Sequence, residues 1–584
     1  MRSWNCLSDR LAPARVPTTA LVALYAALAI ASTWPLAKQL DSQIPLGALE
    51  SPAVSFVSIW TLWWTSDRLP VGFADYWDAP IFHPTKGSFS LSEPMPLLGI
   101  VAAPLFWAGA SPALIYNLVA LAALVLNGLV AFGLMRSLRL HRGAAAIGGA
   151  MMVVLPYSHR EIGNLQLVPL AGILLTLWAL LNFARRPSPT RGVQLGAAFA
   201  SAYLICGQPA LFLVLAAAPA SVWLIRRSLF RPASLLALAA AGLTCAALIG
   251  PVAMAQIERF GEQGFERTPR EVFTGAASLD AWWASATRPF APTPQKHPPA
   301  GSFGTAHFPG AAKLALALLG VVWGLSRAEH RRTTAFLATL GLVAMWISAL
   351  PRLEMGNGSV YLLLRDAMPG IAQIRAFYRA GALSQIAVVL LAAQTLHALL
   401  MRGAGADFVG KRMIRASSIA AVALASLAIF ELWPKWREFS PTPSLDAWRP
   451  WTSWVTQNIG PDEVMAYFPF THGPQSYKFT QEARWMLLQI DHGRVMVNGF
   501  SSYVPESRRE FARSAAGFPS EKSHQLMHRY GVRWVVVHLP LLRQQGRPAP
   551  AEPRWRRVHF DETHRIAVYE VVSETPSTLP NLPE

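Results

Sequence analysis

The chain has 584 residues, of which 53% are hydrophobic and only 14% charged, with a formal net charge of +18. A soluble protein of this length would carry roughly a quarter charged residues, so the composition excludes an ordinary soluble enzyme and places the chain in the membrane class. The positive charge does not point to nucleic acid, because the basic residues fall in short loops between apolar runs rather than in stripes interleaved with aromatics.

Residues 1–17 read as a cytoplasmic leader carrying Arg2, Arg10 and Arg15. Apolar runs of about 17–25 residues match the helix length that crosses ~30 Å of hydrocarbon. They lie near 18–37, 114–135, 143–157, 165–184, 192–207, 209–225, 232–256, 311–326, 334–350, 380–401 and 416–433. The first is long for a signal peptide and reads as an uncleaved anchor. Five further basic clusters join these runs: Arg136/Arg139/Arg142, Arg185/Arg186/Arg191, Arg226/Arg227/Arg231, Arg327/Arg331/Arg332 and Arg402/Lys411/Arg412/Arg415. Short basic loops stay on the cytoplasmic side. The apolar segment 95–109 is interrupted by Pro94, Pro96 and Pro104, which break helical bonding. Reading it as re-entrant or interfacial puts all six clusters on one side.

The expected fold class is therefore a polytopic α-helical membrane protein with about eleven transmembrane helices. The transmembrane domain spans 18–433, with outer loops 38–113, 257–310 and 351–379 and a short outer turn at 157–164. The segment 351–379 looks amphipathic. The expected location is a bacterial inner membrane, with the N-terminus cytoplasmic. Beyond Pro434 apolar runs shorten to strand length, and 434–584 reads as a periplasmic α/β domain. Its expected strands are Glu463–Phe470, Arg494–Phe500, Val532–His538 and Ile566–Val572. Helical patterns cover Pro474–Leu488 and Glu506–Tyr530, the latter broken at Gly517 and Pro519. The cysteines, Cys6, Cys206 and Cys245, form neither a disulfide framework nor a metal-spaced set.

Candidate chemistry lies in the outer segments. The first loop holds Asp41, Glu50, Asp67, Asp75, Asp78, His83 and Glu93 among Trp60, Trp63, Trp64, Tyr76 and Trp77. Carboxylates beside a membrane pair or serve function, whereas the tryptophans also suit an interfacial belt. At the end of the third run stands Tyr157-Ser158-His159-Arg160-Glu161, able to bind an anion and offer a base, or simply to cap a helix. Arg375-Ala376-Phe377-Tyr378-Arg379 precedes the tenth run. Two arginines four apart share a helical face, and their forks suit phosphate oxygens or lipid headgroups. No phosphate-binding glycine loop, nucleophile elbow or zinc helix occurs. Asn498-Gly499-Phe500-Ser501-Ser502-Tyr503 reads first as a turn.

These features together resemble the C-type superfamily of integral-membrane glycosyltransferases, in particular a group of bacterial multi-spanning proteins. The resemblance rests on Ile81-Phe82-His83-Pro84, Leu91-Ser92-Glu93, Pro156-Tyr157 with Gln166, Arg375 to Arg379, Asn498 to Pro505, and Tyr530-Gly531-Val532-Arg533-Trp534-Val535-Val536-Val537-His538. It implies transfer of a sugar from a polyprenyl-phosphate carrier to an extracytoplasmic glycan, lipid or protein, in contact with membrane lipids and without nucleic acid. It also implies an inverting attack, with a first-loop carboxylate as general base and a second acid after the third span. Glu161 takes the second position. Where relatives carry a Gly-Asp pair this chain reads Ala48-Leu49-Glu50-Ser51-Pro52, so Glu50 or Asp41 takes the first. By the same resemblance Arg160, His159, Arg375 and Arg379 would hold the donor phosphate, and His83, Glu93, Tyr378 and Trp64 the substrate. A divalent ion, Mg or Mn, can bridge carboxylates and phosphate, although no ligand spacing demands one. The competing readings are a transporter or flippase for a lipid-linked sugar, and a catalytically inactive accessory protein of envelope glycan assembly.

Overall fold

The computed structural model of the protein describes residues 18–49, 51–284, 306–353, 360–368, 370–402, 408–434, 438–471 and 479–572. Each expected span coincides with a helix: Thr18–Ser32, Pro112–Ser137, Arg142–Val153, Ala171–Arg185, Pro189–Ile205, Gly207–Ala220, Pro232–Gln263, Ala311–Ser326, Arg331–Leu353, Gly381–Arg402 and Phe408–Phe430. Serine–proline pairs set two of the starts. Ser111 Oγ accepts from the Leu114 amide at 3.2 Å, and Ser188 Oγ from the Arg191 amide at 3.3 Å. The hydroxyl satisfies an orphan amide, and the proline that follows has none to lose.

Among the described residues, six segments are long and apolar enough to cross a membrane by length and composition. They are Pro112–Ser137, Leu165–Arg185, Gly207–Leu224, Pro232–Gln263, Arg331–Leu353 and Phe377–Met401. The expectation of eleven therefore exceeds what helix length alone supports. Arg142–Val153 and Pro96–Trp107 have 12 residues each, about 18 Å of helix, short of the ~30 Å hydrocarbon thickness.

Small residues let the helices approach closely. A Cβ on Gly192 or Gly196 would come within 2.0 Å of the Ala237 carbonyl oxygen or 2.4 Å of that of Ala241. Gly320, on Ala311–Ser326, abuts the Leu391 carbonyl at 2.1 Å in the same way. Glycines four apart make such a seam where lipid supplies no hydrophobic drive for helix association.

The basic loops gather at one end of the bundle. There Arg185 Nη1 donates to the Ser137 carbonyl, Arg332 Nη1 to that of Ile225, and the His141 amide to His397 Nδ1, each at 2.9 Å. Gly207–Leu224, 18 residues long and about 27 Å as helix, leads from the opposite end to this one. Arg2, Arg10 and Arg15 lie outside the described residues.

The first loop joins the C-terminal region through a two-stranded ribbon. Strand β1 (Gln43–Pro45) pairs antiparallel with β2 (Phe439–Pro441). The helix Ala53–Arg68 then packs against Thr480–His492, where Trp60 Nε1 donates to Gln489 Oε1 at 2.7 Å. The four-stranded sheet has the order β3 (Val464–Phe468), β4 (Val532–His538), β6 (Ile566–Val571), β5 (Trp555–Asp561). β3 runs parallel to β4, and the other pairs are antiparallel.

One expectation for this region fails. Arg494–Phe500 is not a strand; only Met496 bridges to Met465. The Asn498 side chain replaces the ladder, its Oδ1 accepting from the Tyr467 amide at 2.7 Å and its Nδ2 donating to the Tyr467 carbonyl at 3.0 Å. The fourth strand is instead β5, masked in the sequence by Arg556 and Arg557, which are exposed. The helix Leu445–Asn458 was not anticipated. Thr480–His492 covers the later part of the Pro474–Leu488 pattern, while 472–478 lie outside the described residues. The break between Glu506–Ser514 and Glu521–Arg529 falls at Gly517 and Pro519, as expected.

His492 is buried beneath this sheet. Its Nδ1 accepts from the Arg494 amide at 3.1 Å, so Nε2 carries the proton toward the Tyr467 hydroxyl at 2.9 Å. Burial, aided by Arg494, pushes its pKa down to about 3, whereas the unfolded imidazole titrates near 6.5. The neutral form's stabilisation is complete above the unfolded value and is lost as pH falls from there toward 3. At pH 5 the loss is about 2 kcal/mol. The thermal midpoint of the full-length protein should therefore fall between pH 7 and pH 5, and His492→Gln should flatten that fall. An unchanged pH dependence in the variant would remove His492 as its source.

Candidate active site

The site forms where the third apolar run ends early. Arg142–Val153 gives way to Pro156–Arg160, and an irregular turn follows at 161–164. Backbone exposed at the edge of a bundle must find partners inside the protein. Here the Arg160 carbonyl accepts from the Ala48 amide at 2.8 Å. The Ile162 carbonyl accepts from the Tyr116 hydroxyl, and the Gly163 carbonyl from Ser55 Oγ, both at 2.7 Å. On the other side the Tyr157 amide donates to Gln385 Oε1 at 3.1 Å, and Gln385 Nε2 donates to the His307 carbonyl at 3.1 Å.

This scaffold aims Glu161 inward, only 5% exposed. Its Oε2 accepts from the Tyr378 hydroxyl at 3.2 Å, and its Oε1 lies 3.8 Å from Arg160 Nη1. The Arg160 guanidinium sits 5.1 Å above the Tyr378 ring and that of Arg379 5.9 Å from it. Arg379 Nη1 donates to Gln208 Oε1 at 2.6 Å. Glu93 completes the group, accepting from the amides of Gly207 at 3.0 Å and Gln208 at 3.4 Å at the N-terminus of Gly207–Ala220. Burial holds its carboxyl above the ordinary value, while the Gly207 amide, Arg379 and the Gln208 amide pull the other way. Two carboxylates, two guanidiniums and a tyrosine hydroxyl thus share one buried cluster.

His307 borders the same group, its ring 5.3 Å from Trp282 and 5.8 Å from Tyr378. It is fully buried, and among the described residues neither ring nitrogen has a hydrogen-bond partner. Burial and then Arg160 keep its pKa well below the ordinary value, so the imidazole is neutral. Among the described residues no three His, Cys, Asp or Glu side chains come together as a metal site.

The other candidate residues are placed as follows. Tyr378, Glu93, Arg160 and Arg379 join Glu161. Glu50 lies outside the described residues, though Leu46 to Leu49 run against 160–163. Asp41 is exposed, its backbone carbonyl accepting from Ser111 Oγ at 3.0 Å. His159 turns to the Val153 carbonyl at 3.0 Å. Arg375 does not share a helical face with Arg379, because only Phe377–Ala380 forms a tight turn there and 374–376 are irregular. Burial, Arg267 and Arg379 push its pKa down to about 10. Trp64 Nε1 donates to the Tyr76 carbonyl at 2.8 Å, and the His83 amide to that of Met496 at 3.1 Å. Trp64 belongs to an apolar cluster, rich in aromatic rings, that the first loop shares with the C-terminal domain.

Gln208, Gln385 and His307 escaped the sequence reading. A polar Gly207-Gln208 break between two apolar runs was the available signal for the first, since polar groups at membrane depth mark function.

No family model and no curated protein sequence matches the chain. Among solved structures, the arabinofuranosyltransferase AftD from Mycobacteria superposes with a TM-score of 0.54 at 14% identity, covering 95% of this chain and 40% of that one. A mutant form of AftD gives 0.55 at 14% identity, with 95% and 42% covered. The chain shares its fold with this part of AftD. It spans about two fifths of the length of AftD. The Archaeoglobus fulgidus oligosaccharyltransferase matches at 12% identity and a TM-score of 0.46, over 90% of this chain and 70% of that one, too low to bear on the fold. Within this fold the acid–tyrosine–arginine cluster lies at the bundle end nearer the C-terminal domain, at the very start of the apolar segment Phe377–Met401.

The contact of Leu46 to Leu49 with this turn depends on Gly47, whose φ is +63° and whose added Cβ would meet the Arg160 carbonyl oxygen at 2.4 Å. Gly72 has a matching φ of +65° with nothing within 4 Å. Gly72→Ala should cost only the ~1–2 kcal/mol of left-handed strain, and Gly47→Ala clearly more, read as thermal midpoints of the full-length protein. Equal losses would show that the loop does not need this close approach.

Proposed function

We propose that the protein is a membrane glycosyltransferase that moves a sugar from a polyprenyl-phosphate carrier to an extracytoplasmic glycan, lipid or protein acceptor. The observation that carries this reading is the hydrogen bond from Tyr378 to the buried Glu161 beneath Arg160. It joins the acid after the third run to the arginine motif before the tenth. The likeness in fold to an arabinofuranosyltransferase supports the same class of chemistry.

An acceptor hydroxyl is a poor nucleophile until a carboxylate takes its proton as attack proceeds. In this reading Glu50 or Asp41 is the base, and Glu161 is the second acid of an inverting displacement. The bond from the sugar's anomeric carbon to the phosphate oxygen breaks as the bond to the acceptor oxygen forms. The departing phosphate gains charge, which Arg379 and Arg160 stabilise. Glu93 holds Gln208 and hence the donor side of Arg379. The carrier's prenyl chain stays in lipid, which suits a site at the start of an apolar helix. A divalent ion, if bound, would be held by the carboxylates and would offset charge on the phosphate; Arg160 and Arg379 already balance the two acids, and among the described residues no three-ligand group comes together. In this reading the basic clusters mark the cytoplasmic end of the bundle, and the site and the C-terminal domain face the periplasm.

The test is turnover of polyprenyl-phosphate sugars by the purified full-length protein, read as released lipid phosphate. Glu161→Gln should slow release by roughly 10²–10⁴, and Arg379→Gln should lower it while Tyr378→Phe shifts its pH profile. Undiminished release in Glu161→Gln, or no release from a broad donor panel, would overturn the reading.

A further inference from the structure

Arginines at the two ends of the molecule are held differently. In the C-terminal domain several meet carboxylates: Arg508 with Glu482 at 3.1 Å, Arg509 with Glu506 at 3.0 Å, Arg554 with Glu521 at 3.1 Å, although Arg494 donates to the Ile459 and Thr456 carbonyls. At the far end of the bundle Arg136, Arg185, Arg191, Arg331 and Arg332 instead donate to the carbonyls of Leu140, Ser137, Arg186, Leu325 and Ile225. A guanidinium carries five N–H donors, so each such bond leaves donors and the full charge over.

Three of the arginines at this end, Arg185, Arg226 and Arg332, line one cavity of about 60 Å³ with Glu329 and Thr333. Leu181 and Leu224 give it an apolar side. At roughly 10–15 Å³ for each water-sized centre, it holds about four to six heavy atoms, the size of a phosphate group. Its wall includes the first turn of the 23-residue helix Arg331–Leu353, whose positive dipole end favours an anion, although the Arg331 and Thr334 amides already donate to the Arg327 and His330 carbonyls. The one acid, Glu329, is turned toward His330, with Oε1 3.3 Å from Nε2.

We propose that this cavity is a phosphate site, and that it takes the phosphate of an anionic phospholipid headgroup. A free phosphate ion has the same chemistry and is separated by the experiment. Gly207–Leu224 sets the cavity about 27 Å from the acid–tyrosine cluster, so the site is distinct from the proposed catalytic one and does not rest on it. Juxtamembrane basic pockets of this kind bind headgroups at a cost in affinity of about fivefold for each charge removed.

The test uses the full-length protein reconstituted in mixed phosphatidylcholine and phosphatidylglycerol vesicles, then extracted and weighed intact with its retained lipid. A second arm titrates inorganic phosphate against the thermal midpoint. Phosphatidylglycerol should be retained over phosphatidylcholine, and Arg226→Glu, at an exposed position, should lower that retention about fivefold or more. Arg513→Glu, exposed in the C-terminal domain, should leave it unchanged. A phosphate-induced shift lost in Arg226→Glu, without lipid retention, would assign the site to the free ion and overturn the headgroup. Insensitivity of both readouts to Arg226→Glu, or equal loss in Arg513→Glu, would overturn the site altogether.

Discussion

Backbone satisfaction in an irregular turn governs this structure. Residues 160–163 leave helical geometry where water is scarce, and their carbonyls are met by Ala48, Tyr116 and Ser55 from three separate stretches of chain. Each unmet carbonyl there would cost several kcal/mol. The turn is therefore fixed by long-range contacts, and with it the direction in which Glu161 points. A carboxylate held this way can be buried beside Tyr378 and Arg160 because its position is determined by the scaffold and not by its own bonds.

The second constraint is electrical. Glu93 and Glu161 are drawn into an apolar setting only with Arg379 and Arg160 beside them, since an uncompensated buried charge is prohibitive. Gln208 and the amides opening Gly207–Ala220 spread that compensation across a helix end. The neutral His307 adds polarity without charge. The result is a charge-balanced polar cluster inside an apolar surround.

Much of the architecture was legible from the chain. Apolar run length and basic loops act locally, so they locate the helices and the shared end of the arginines. Glu161, Arg379 and Tyr378 were visible as polar residues at the ends of apolar runs. The spacing of Arg375 and Arg379 misled, because a helical period was applied to backbone that is irregular at 374–376. Arg494–Phe500 misled for a different reason: the Asn498 amide imitates a neighbouring strand, which no alternation of residue types reveals. His307 and Gln385 are single polar residues whose meaning comes only from partners far away in sequence.

The β1–β2 ribbon joins Gln43 to Pro441, positions roughly four hundred residues apart. Loop-closure entropy delays such a pairing until most of the intervening helices are in place. During synthesis the segment beside the turn must wait, unpartnered, until the ribosome has made nearly the whole membrane bundle. A nascent chain would thus complete this corner only after the bundle has been made.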